Sequence, residues 1–233
     1  YICTLFLNMK KCILFIICIS FSAISLAQIN EVGFFVGGSN YVGDIGRTNY
    51  IYPNKLAGGL IYKWNWNPRM ALRGTFSYLP IAGDDKNAST DFKRERGYKF
   101  NNTINEFAVG LEYNFYEYDI STSEKSATPY ILIEFASFQY KSAQEVASNG
   151  TITYTNKTSY AIPFGVGYKS KLYGAFAFAI EAKVRYTFED DLDYTTGRFP
   201  ALDFGSKGND WYAFTGVSLV YTFGRPACYT KGI

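Results

Sequence analysis

Acidic side chains are the residues of this sequence that could do acid–base chemistry, and Glu106 and Glu112 form one candidate pair. They lie on one segment that alternates like a β-strand, which separates them by about 20 Å at about 3.3 Å per residue. Mechanisms that use two carboxylates need them much closer together. The chain contains no histidine, which removes the commonest general base and most zinc sites. We therefore predict a protein that is not an enzyme and has no catalytic residues.

A second acidic group, Glu189, Asp190, Asp191 and Asp193, lies in a connection near the end of the chain. Hard cations such as calcium prefer such oxygen ligands, but the spacing matches no known calcium loop. A solvated loop is the simpler interpretation. We predict neither a metal site nor a bound cofactor.

The overall charge of the chain is close to balanced. It carries 23 Lys+Arg against 20 Asp+Glu, which offers no large positive field for nucleic acid. Aromatic residues make up 19% of the chain and charged residues 18%, whereas soluble domains average about 25% charged residues. This composition disfavours a nucleic-acid partner and favours contact with lipid.

The first 27 residues resemble a secretory signal peptide. Met9-Lys10-Lys11 precedes an apolar run from Cys12 to Ile24, and Ser25-Leu26-Ala27 provides small residues for cleavage after Ala27. The run is shorter than the about 20 residues that span a bilayer as a helix. Residues 1–27 are therefore predicted to be upstream residues and a cleaved signal, and Cys228 remains as the lone cysteine after cleavage.

Apolar residues recur at every second position through most of the remaining chain, which predicts β-strands. Long and short connections alternate between these strands, as in an up-and-down barrel of the bacterial outer membrane. Glu134 and Gln139 fall on opposite faces of the fifth strand and suggest a bulge there. The predicted strands span residues 31–38, 55–65, 69–79, 104–118, 128–140, 160–169, 174–188 and 211–223.

The two faces of these strands differ in a way that favours a membrane over water. A soluble lipocalin-like barrel, the alternative, would place its apolar face inside. The minor face instead carries small residues such as Ala161, Gly165 and Gly167, which suit the narrow interior of an eight-stranded barrel. The fold class predicted for residues 28–223 is all-β, an eight-stranded antiparallel up-and-down transmembrane β-barrel.

Charged residues on the minor face would lie in the lumen of this barrel. Both signs are interleaved, and an unpaired charge in a narrow interior is costly, so we predict an ion-pair network across the strands. Its predicted members are Lys63, Arg73, Glu106, Glu112, Glu181, Lys183 and Arg185.

Several sequence stretches, in order, resemble the PorG outer-membrane proteins of type IX secretion systems. They include GGSNYVGDIG at residues 37–46, YKWN at 62–65, NPR at 67–69, AIPFGVG at 161–167, RYTF at 185–188, NDWY at 209–212 and YTFGRPACY at 221–229. The resemblance implies an outer-membrane barrel associated with a periplasmic ring, whose subunits are a lipoprotein and its soluble partner. It supplies no catalytic residues.

Both termini of such a barrel are predicted to be periplasmic, where a ring could reach them. Residues 224–233 form a tail beyond the last strand, and Arg225, Cys228 and Lys231 in it are the predicted partner-binding residues. The first functional hypothesis is a non-enzymatic barrel that anchors or organises the secretion ring. The alternative is a stand-alone small barrel that acts as a porin-like channel or as a structural or lipid-binding protein, although eight strands leave little room for a channel.

Overall fold

The computed structural model of the chain describes residues 29–118, 126–147, 150–200, 202–203 and 208–224. The strands are β1 Ile29–Val42, β2 Lys55–Asn67, β3 Met70–Asp84, β4 Lys99–Asn114, β5 Ala127–Val146, β6 Ile152–Tyr173, β7 Phe176–Thr187 and β8 Trp211–Gly224. A 3-10 turn, Asp85–Asn87, and a short helix α1, Asp91–Arg96, follow β3. No helix in these described ranges has the length and apolar character needed to cross a membrane. The predicted signal peptide and residues 225–233 of the predicted tail lie outside them.

The eight strands form one closed antiparallel ring in chain order, in which β8 pairs back onto β1. This confirms the predicted eight-stranded up-and-down barrel. Ile29 pairs with Gly224, so the first and last strands reach the same end of the barrel, together with the tight connections that follow β2 and β6. We call this the turn end. The described residues of the connections that follow β1, β3, β5 and β7 lie at the opposite end, which we call the loop end.

Side chains alternate strictly between the outside and the inside of the ring. On β4, Phe107 and Leu111 are 58% and 42% exposed, whereas Glu106 and Glu112 are fully buried. On the other strands apolar residues also face outward, while the interior holds small, polar and charged residues together with buried apolar ones such as Phe35, Phe138 and Phe214. A lipocalin-like barrel instead presents a polar outer surface to water. The exterior is thus the surface expected of a barrel that lies in a lipid bilayer.

Aromatic rings lie near both edges of this apolar exterior. Trp64 and Trp66 stack at the turn end with their ring centroids 6.4 Å apart. At the loop end, Trp211 contacts Tyr50, Phe164 and Tyr186. Aromatic side chains favour the boundary between lipid tails and water, so the two bands mark the height of the membrane-facing surface.

The hairpin formed by β5 and β6 is longer than its sequence pattern predicts. The predicted strands end at 140 and begin again at 160, but the strands extend to Val146 and Ile152, with Lys141 paired to Asn156. Both faces of this extension are largely polar, so it has no alternation of apolar residues by which to detect it. Backbone pairing continues there because it requires no apolar face, and the extension carries several β-branched threonines.

The C-terminal end of β4 also differs from the sequence prediction. The strand ends at Asn114 and not at residue 118. The N–H of Tyr118 donates to the carbonyl of Pro68 at 3.1 Å, which turns the chain under the barrel. The buried ring of Tyr118 lies 4.4 Å from the Lys169 ammonium.

Candidate functional site

The interior of the barrel holds charged side chains of both signs. All seven residues predicted for the lumen point inward and are at most 9% exposed. Three further charged residues share this interior: Glu31, Glu134 and Lys169. Among the residues that the structure describes, the set contains five acidic residues (Glu31, Glu106, Glu112, Glu134, Glu181) and five basic ones (Lys63, Arg73, Lys169, Lys183, Arg185).

Arg73 is the centre of the larger group of charges. Its guanidinium, on β3, donates to Glu181 on β7 at 2.7 and 3.3 Å, which crosses the full width of the ring. It also donates to Glu112 on β4 at 3.1 Å. The Nε atom lies 3.0 Å from Glu134 on β5, at an angle that does not suit a hydrogen bond. One arginine therefore connects four strands.

The carboxylates around Arg73 have further cationic partners. Glu112 lies 2.8 Å from the Lys63 ammonium and 2.5 Å from that of Lys169. Lys183 lies 2.9 Å from Glu134. Each of these contacts joins different strands, so side chains hold the ring together in addition to its backbone ladder.

A smaller group lies nearer the loop end. Arg185 on β7 donates to both oxygens of Glu106 on β4, each at 3.1 Å. The Tyr212 hydroxyl donates to the same carboxylate at 2.6 Å, and the Ser77 hydroxyl at 3.3 Å. A bidentate arginine–carboxylate pair has strongly directional geometry, and this one fixes β4 against β7.

The additional lumen residues could have been identified from the sequence, because every second residue of a strand faces the same side of the sheet. Glu134 and Tyr130 are inward and Gln139 is outward on a β5 that alternates without interruption between them. The predicted bulge is therefore wrong. The register shift of this hairpin occurs near Ala143 and Glu145, close to its tip. Strict application of parity along β5 and β6 identifies Glu134 and Lys169.

Side chains fill the barrel because inward glycines make room for large neighbours. A Cβ at Gly167 would overlap the ring of Tyr130, and one at Gly216 would lie 2.5 Å from Cζ of Phe214. A cavity beside Arg73 and Glu181 has a volume of about 10 Å³, roughly the minimum for one water molecule. This packing leaves no room at that level for a solute larger than water.

Two acidic residues of the last connection, Asp193 and Asp210, are buried together at the loop end. The Tyr41 hydroxyl lies 2.7 Å from Asp193 and also contacts Asp210. A hydroxyl has one proton and can donate to only one of these carboxylates, so the second contact is satisfied when one carboxyl is protonated. Burial, and then the negative charge of Asp193, raises the pKa of Asp210. Burial also raises the pKa of Asp193.

The neighbouring acids have separate environments. Asp191 accepts from the hydroxyls of Tyr140 and Ser142 and from Lys157, and Lys157 also lies 2.7 Å from Glu189. Burial, followed by the charge of Asp44, raises the pKa of Asp190 to about 6. Within the described ranges, no group of three or more acidic or cysteine side chains is arranged to hold a metal ion.

The partner-binding residues predicted in the tail, Arg225, Cys228 and Lys231, lie outside the residues that the structure describes. Gly224, which closes β8, is the last described position before them. Their role stays a prediction.

A family described as "Domain of unknown function (DUF6089)" matches residues 10–232, nearly the whole chain. The chain belongs to the DUF6089 family. None of the curated proteins compared with it matches.

Solved structures similar to this DUF6089 chain are small outer-membrane barrels. A major outer membrane protein from Thermus thermophilus superimposes with a TM-score of 0.51 at 12% identity, over 84% of this chain and 100% of that one. Ail, the attachment invasion locus protein of Yersinia pestis, has a TM-score of 0.46 at 14% identity, over 85% of this chain and 100% of that one. The barrel domain of Pseudomonas aeruginosa OprF has a TM-score of 0.44 at 12% identity, over 84% and 97%. The similarity to the Thermus protein supports the barrel fold and carries no information about function.

Proposed function

We propose that this DUF6089 chain is a non-enzymatic outer-membrane barrel that anchors or organises the periplasmic ring of a type IX protein secretion system. The observation that carries the non-enzymatic, non-channel part is the salt-bridged interior, in which five acids and five bases of the described strands occupy the lumen. A barrel packed in this way offers a rigid support whose functional surfaces lie at its two ends. The link to type IX secretion comes from the sequence resemblance to PorG proteins.

The chain ends favour the turn end as the surface that a ring would bind. Ile29 and Gly224 are paired there, so the tail from residue 225 starts beside the first residues of the barrel. In outer-membrane barrels the short turns face the periplasm. We therefore propose that both termini are periplasmic and that Arg225, Cys228 and Lys231 contact the lipoprotein of the ring or its soluble partner.

A pull-down tests this proposal. The tagged full-length protein is purified from its native outer membrane in mild detergent, beside a variant without residues 225–233. We expect ring subunits to copurify with the full-length protein and to be lost with the truncated one. A variant in which Lys86, in a connection at the loop end, is changed to Gln serves as a control and should retain them. Recovery of the barrel alone in every case would refute the anchoring role.

Deletion of the gene gives an independent measurement in the cell. Secretion of type IX substrates should fall, and expression of the full chain should restore it. Unchanged secretion in the deletion strain would contradict the proposal even if the pull-down succeeded.

The porin-like alternative predicts a measurable conductance. The filled interior argues against it, since the cavity beside Arg73 has a volume of only about 10 Å³. In planar lipid bilayers the purified barrel should show no stable unitary conductance. Reproducible channel steps would favour the porin-like function over the anchoring one.

A further inference from the structure

The loop end contains a cleft that neither the lumen network nor the proposed tail contact uses. Its volume is about 370 Å³, within the range of small-molecule sites. The connection 43–54 folds over the tip of the β3–β4 hairpin and leaves the cleft between them. Residues from both sides line it, including Arg47, Tyr52 and Lys55 on one side and Asn87, Lys99 and Asn101 on the other.

Hydrogen bonds hold the walls of this cleft in place. The side-chain amide of Asn40 donates to the carbonyls of Asn49 and Tyr50 at 3.0 and 3.3 Å and accepts from the N–H of Tyr52 at 3.3 Å. The amide of Asn54 donates to the carbonyl of Ala82 at 3.1 Å, which ties the connection to β3. The cleft is therefore formed before any ligand arrives, which lowers the entropic cost of binding.

A glycine permits the close approach of these walls. A Cβ at Gly83 would lie 2.8 Å from the carbonyl oxygen of Ile45 and 2.7 Å from the ring of Phe100. Ile45 and Phe100 are buried and form an apolar floor.

The charged side chains of the cleft are mainly positive and have donor groups that a ligand could use. Arg47, Lys55 and Lys99 line it beside a single acid, Asp84, whose side chain already accepts from the N–H of Lys86 at 2.9 Å. Within the part of the chain that the structure describes, neither lysine has an ion pair or a side-chain hydrogen bond. Arg47 lies over the ring of Tyr52 at 4.5 Å and donates through Nε to the carbonyl of Asn87, which leaves the remaining guanidinium N–H groups for a ligand.

A second pocket, of about 210 Å³, continues from this cleft and shares Asn101 with it. Its lining is again rich in amides, including Asn105 and Gln139, which are paired across β4 and β5 and face outward. They lie on the same outer face as the exposed Phe107 and Phe135, closer to the loop end. The polar surface therefore descends the outer wall to the top of the apolar exterior, where the head groups of lipids would lie.

We propose that this cleft binds an anionic oligosaccharide. Amide side chains both donate to and accept from hydroxyl groups, the lysines and Arg47 provide charge-assisted hydrogen bonds to phosphate or carboxylate groups, and exposed Tyr52 offers an apolar face. A free phosphate would occupy only a small part of about 370 Å³. The oligosaccharide could belong to a glycolipid of the surrounding leaflet or to a free polysaccharide, which share this chemistry. The inference is independent of the proposed secretion role.

Calorimetric titration of the full-length protein in detergent micelles tests the site. The probe is the phosphorylated core oligosaccharide released from lipopolysaccharide by mild acid. Lys99→Gln should weaken binding roughly tenfold, the effect expected from loss of one hydrogen bond to a charged group. The matched control is Lys86→Gln, a neighbouring exposed lysine outside the cleft, which should bind as the unmodified protein does.

Three results would overturn the proposal. They are absence of binding by the unmodified protein, an equal loss in Lys99→Gln and Lys86→Gln, and equally tight binding of the same oligosaccharide after removal of its phosphates. Electrophoretic migration before and after heating checks that each variant is folded, so a loss of binding is not mistaken for a loss of structure.

Nanodiscs identify the source of the ligand. Barrels are embedded either in phospholipid alone or in phospholipid with lipopolysaccharide, and the fluorescently labelled core oligosaccharide is added. If lipopolysaccharide in the disc blocks the added probe, the cleft binds the glycolipid beside it. If the probe binds equally well in both discs, the ligand is a free saccharide. In both cases Lys99→Gln should weaken the interaction.

Discussion

Arg73 is the single side chain on which most of the lumen network depends. It lies within 3.1 Å of Glu112, Glu134 and Glu181 and is 2% exposed. Its replacement by alanine would leave several buried carboxylates with too few cationic partners, and such a change typically costs about 3–5 kcal/mol. We expect the free energy of unfolding of Arg73→Ala in urea to fall by that amount.

Arg69 provides a matched control for this substitution. It lies at the turn end, 3.7 Å from Glu117, with a side chain that is 45% exposed. Exposed ion pairs contribute about 0–1 kcal/mol, so Arg69→Ala should alter stability only slightly. Equal effects of the two substitutions would show that the lumen charges do not stabilise the barrel.

The buried carboxyls of Asp193 and Asp210 should make the stability of the barrel depend on pH. Burial raises the pKa of both carboxyls in the folded state, so the folded state holds more protons than the unfolded chain above about pH 4. Stability contributed by these groups is therefore present at low pH and lost as pH rises. Asp193→Asn removes the carboxyl whose ionisation is unfavourable at this site, so it should be more stable than the unmodified protein at pH 8.

The measurement is urea unfolding of both proteins at pH 5 and pH 8, where the advantage of Asp193→Asn should grow with pH. Asp85 serves as the control, because its pKa is shifted in the opposite direction. Burial alone would raise its pKa, but hydrogen bonds from Arg96 and the N–H of Gly46 hold it below its usual value. Asp85→Asn should therefore lose stability at pH 8. A variant Asp193→Asn that is less stable than the unmodified protein at pH 8 would contradict the shared-proton arrangement.

The hairpin tip of β5 and β6 is the element whose length the barrel itself does not require. Ser142 and Thr155 are paired, so residues 143–154 can be replaced by Asn-Gly, a turn suited to antiparallel strands. The deletion removes the contact between Tyr154 and Tyr194, whose ring centroids are 4.6 Å apart, and should cost about 0.5–1.5 kcal/mol. The shortened protein should still refold in micelles, as heat-dependent electrophoretic migration would show.

Deletion of the same strands nearer the turn end should have a different result. Ile131, Ile133 and Phe135 form part of the apolar exterior, and removal of residues 131–136 would replace them at that height with the polar outward residues that follow. Because polar side chains on the lipid-facing surface are costly, this shortened protein should not refold. Failure of both deletions to refold would mean that the hairpin tip is part of the folding unit.

The exterior of the whole barrel decides whether its environment is lipid or water. Ile133 and Gln139 both face outward on β5, but Ile133 lies within the apolar surface and Gln139 lies above it. In lipid vesicles Ile133→Arg should lose about 2–4 kcal/mol of unfolding free energy, whereas Gln139→Arg should lose about 0–1 kcal/mol. Equal small losses would indicate that this face does not contact lipid tails.

The amino-acid sequence by itself determined the class and order of the barrel. A period of two in apolar residues, with small and charged residues on the minor face, specifies which side chains face lipid and which face the lumen, because each strand residue points opposite to the next. The lumen positions of Lys63, Glu112 and Arg185 follow from that parity. The polar end of the β5–β6 hairpin could not be found in this way, since neither of its faces is buried against lipid.

Only the tertiary structure decided which groups meet. Arg73 and Glu181 are far apart in the chain and come within 2.7 Å only because closure of the ring places β3 opposite β7. The same closure brings Tyr41 to Asp193 and Asp210 and places the connection 43–54 over β3 and β4 to form the cleft. Sequence pattern is a local property, whereas these contacts depend on strand stagger and loop path around a closed barrel.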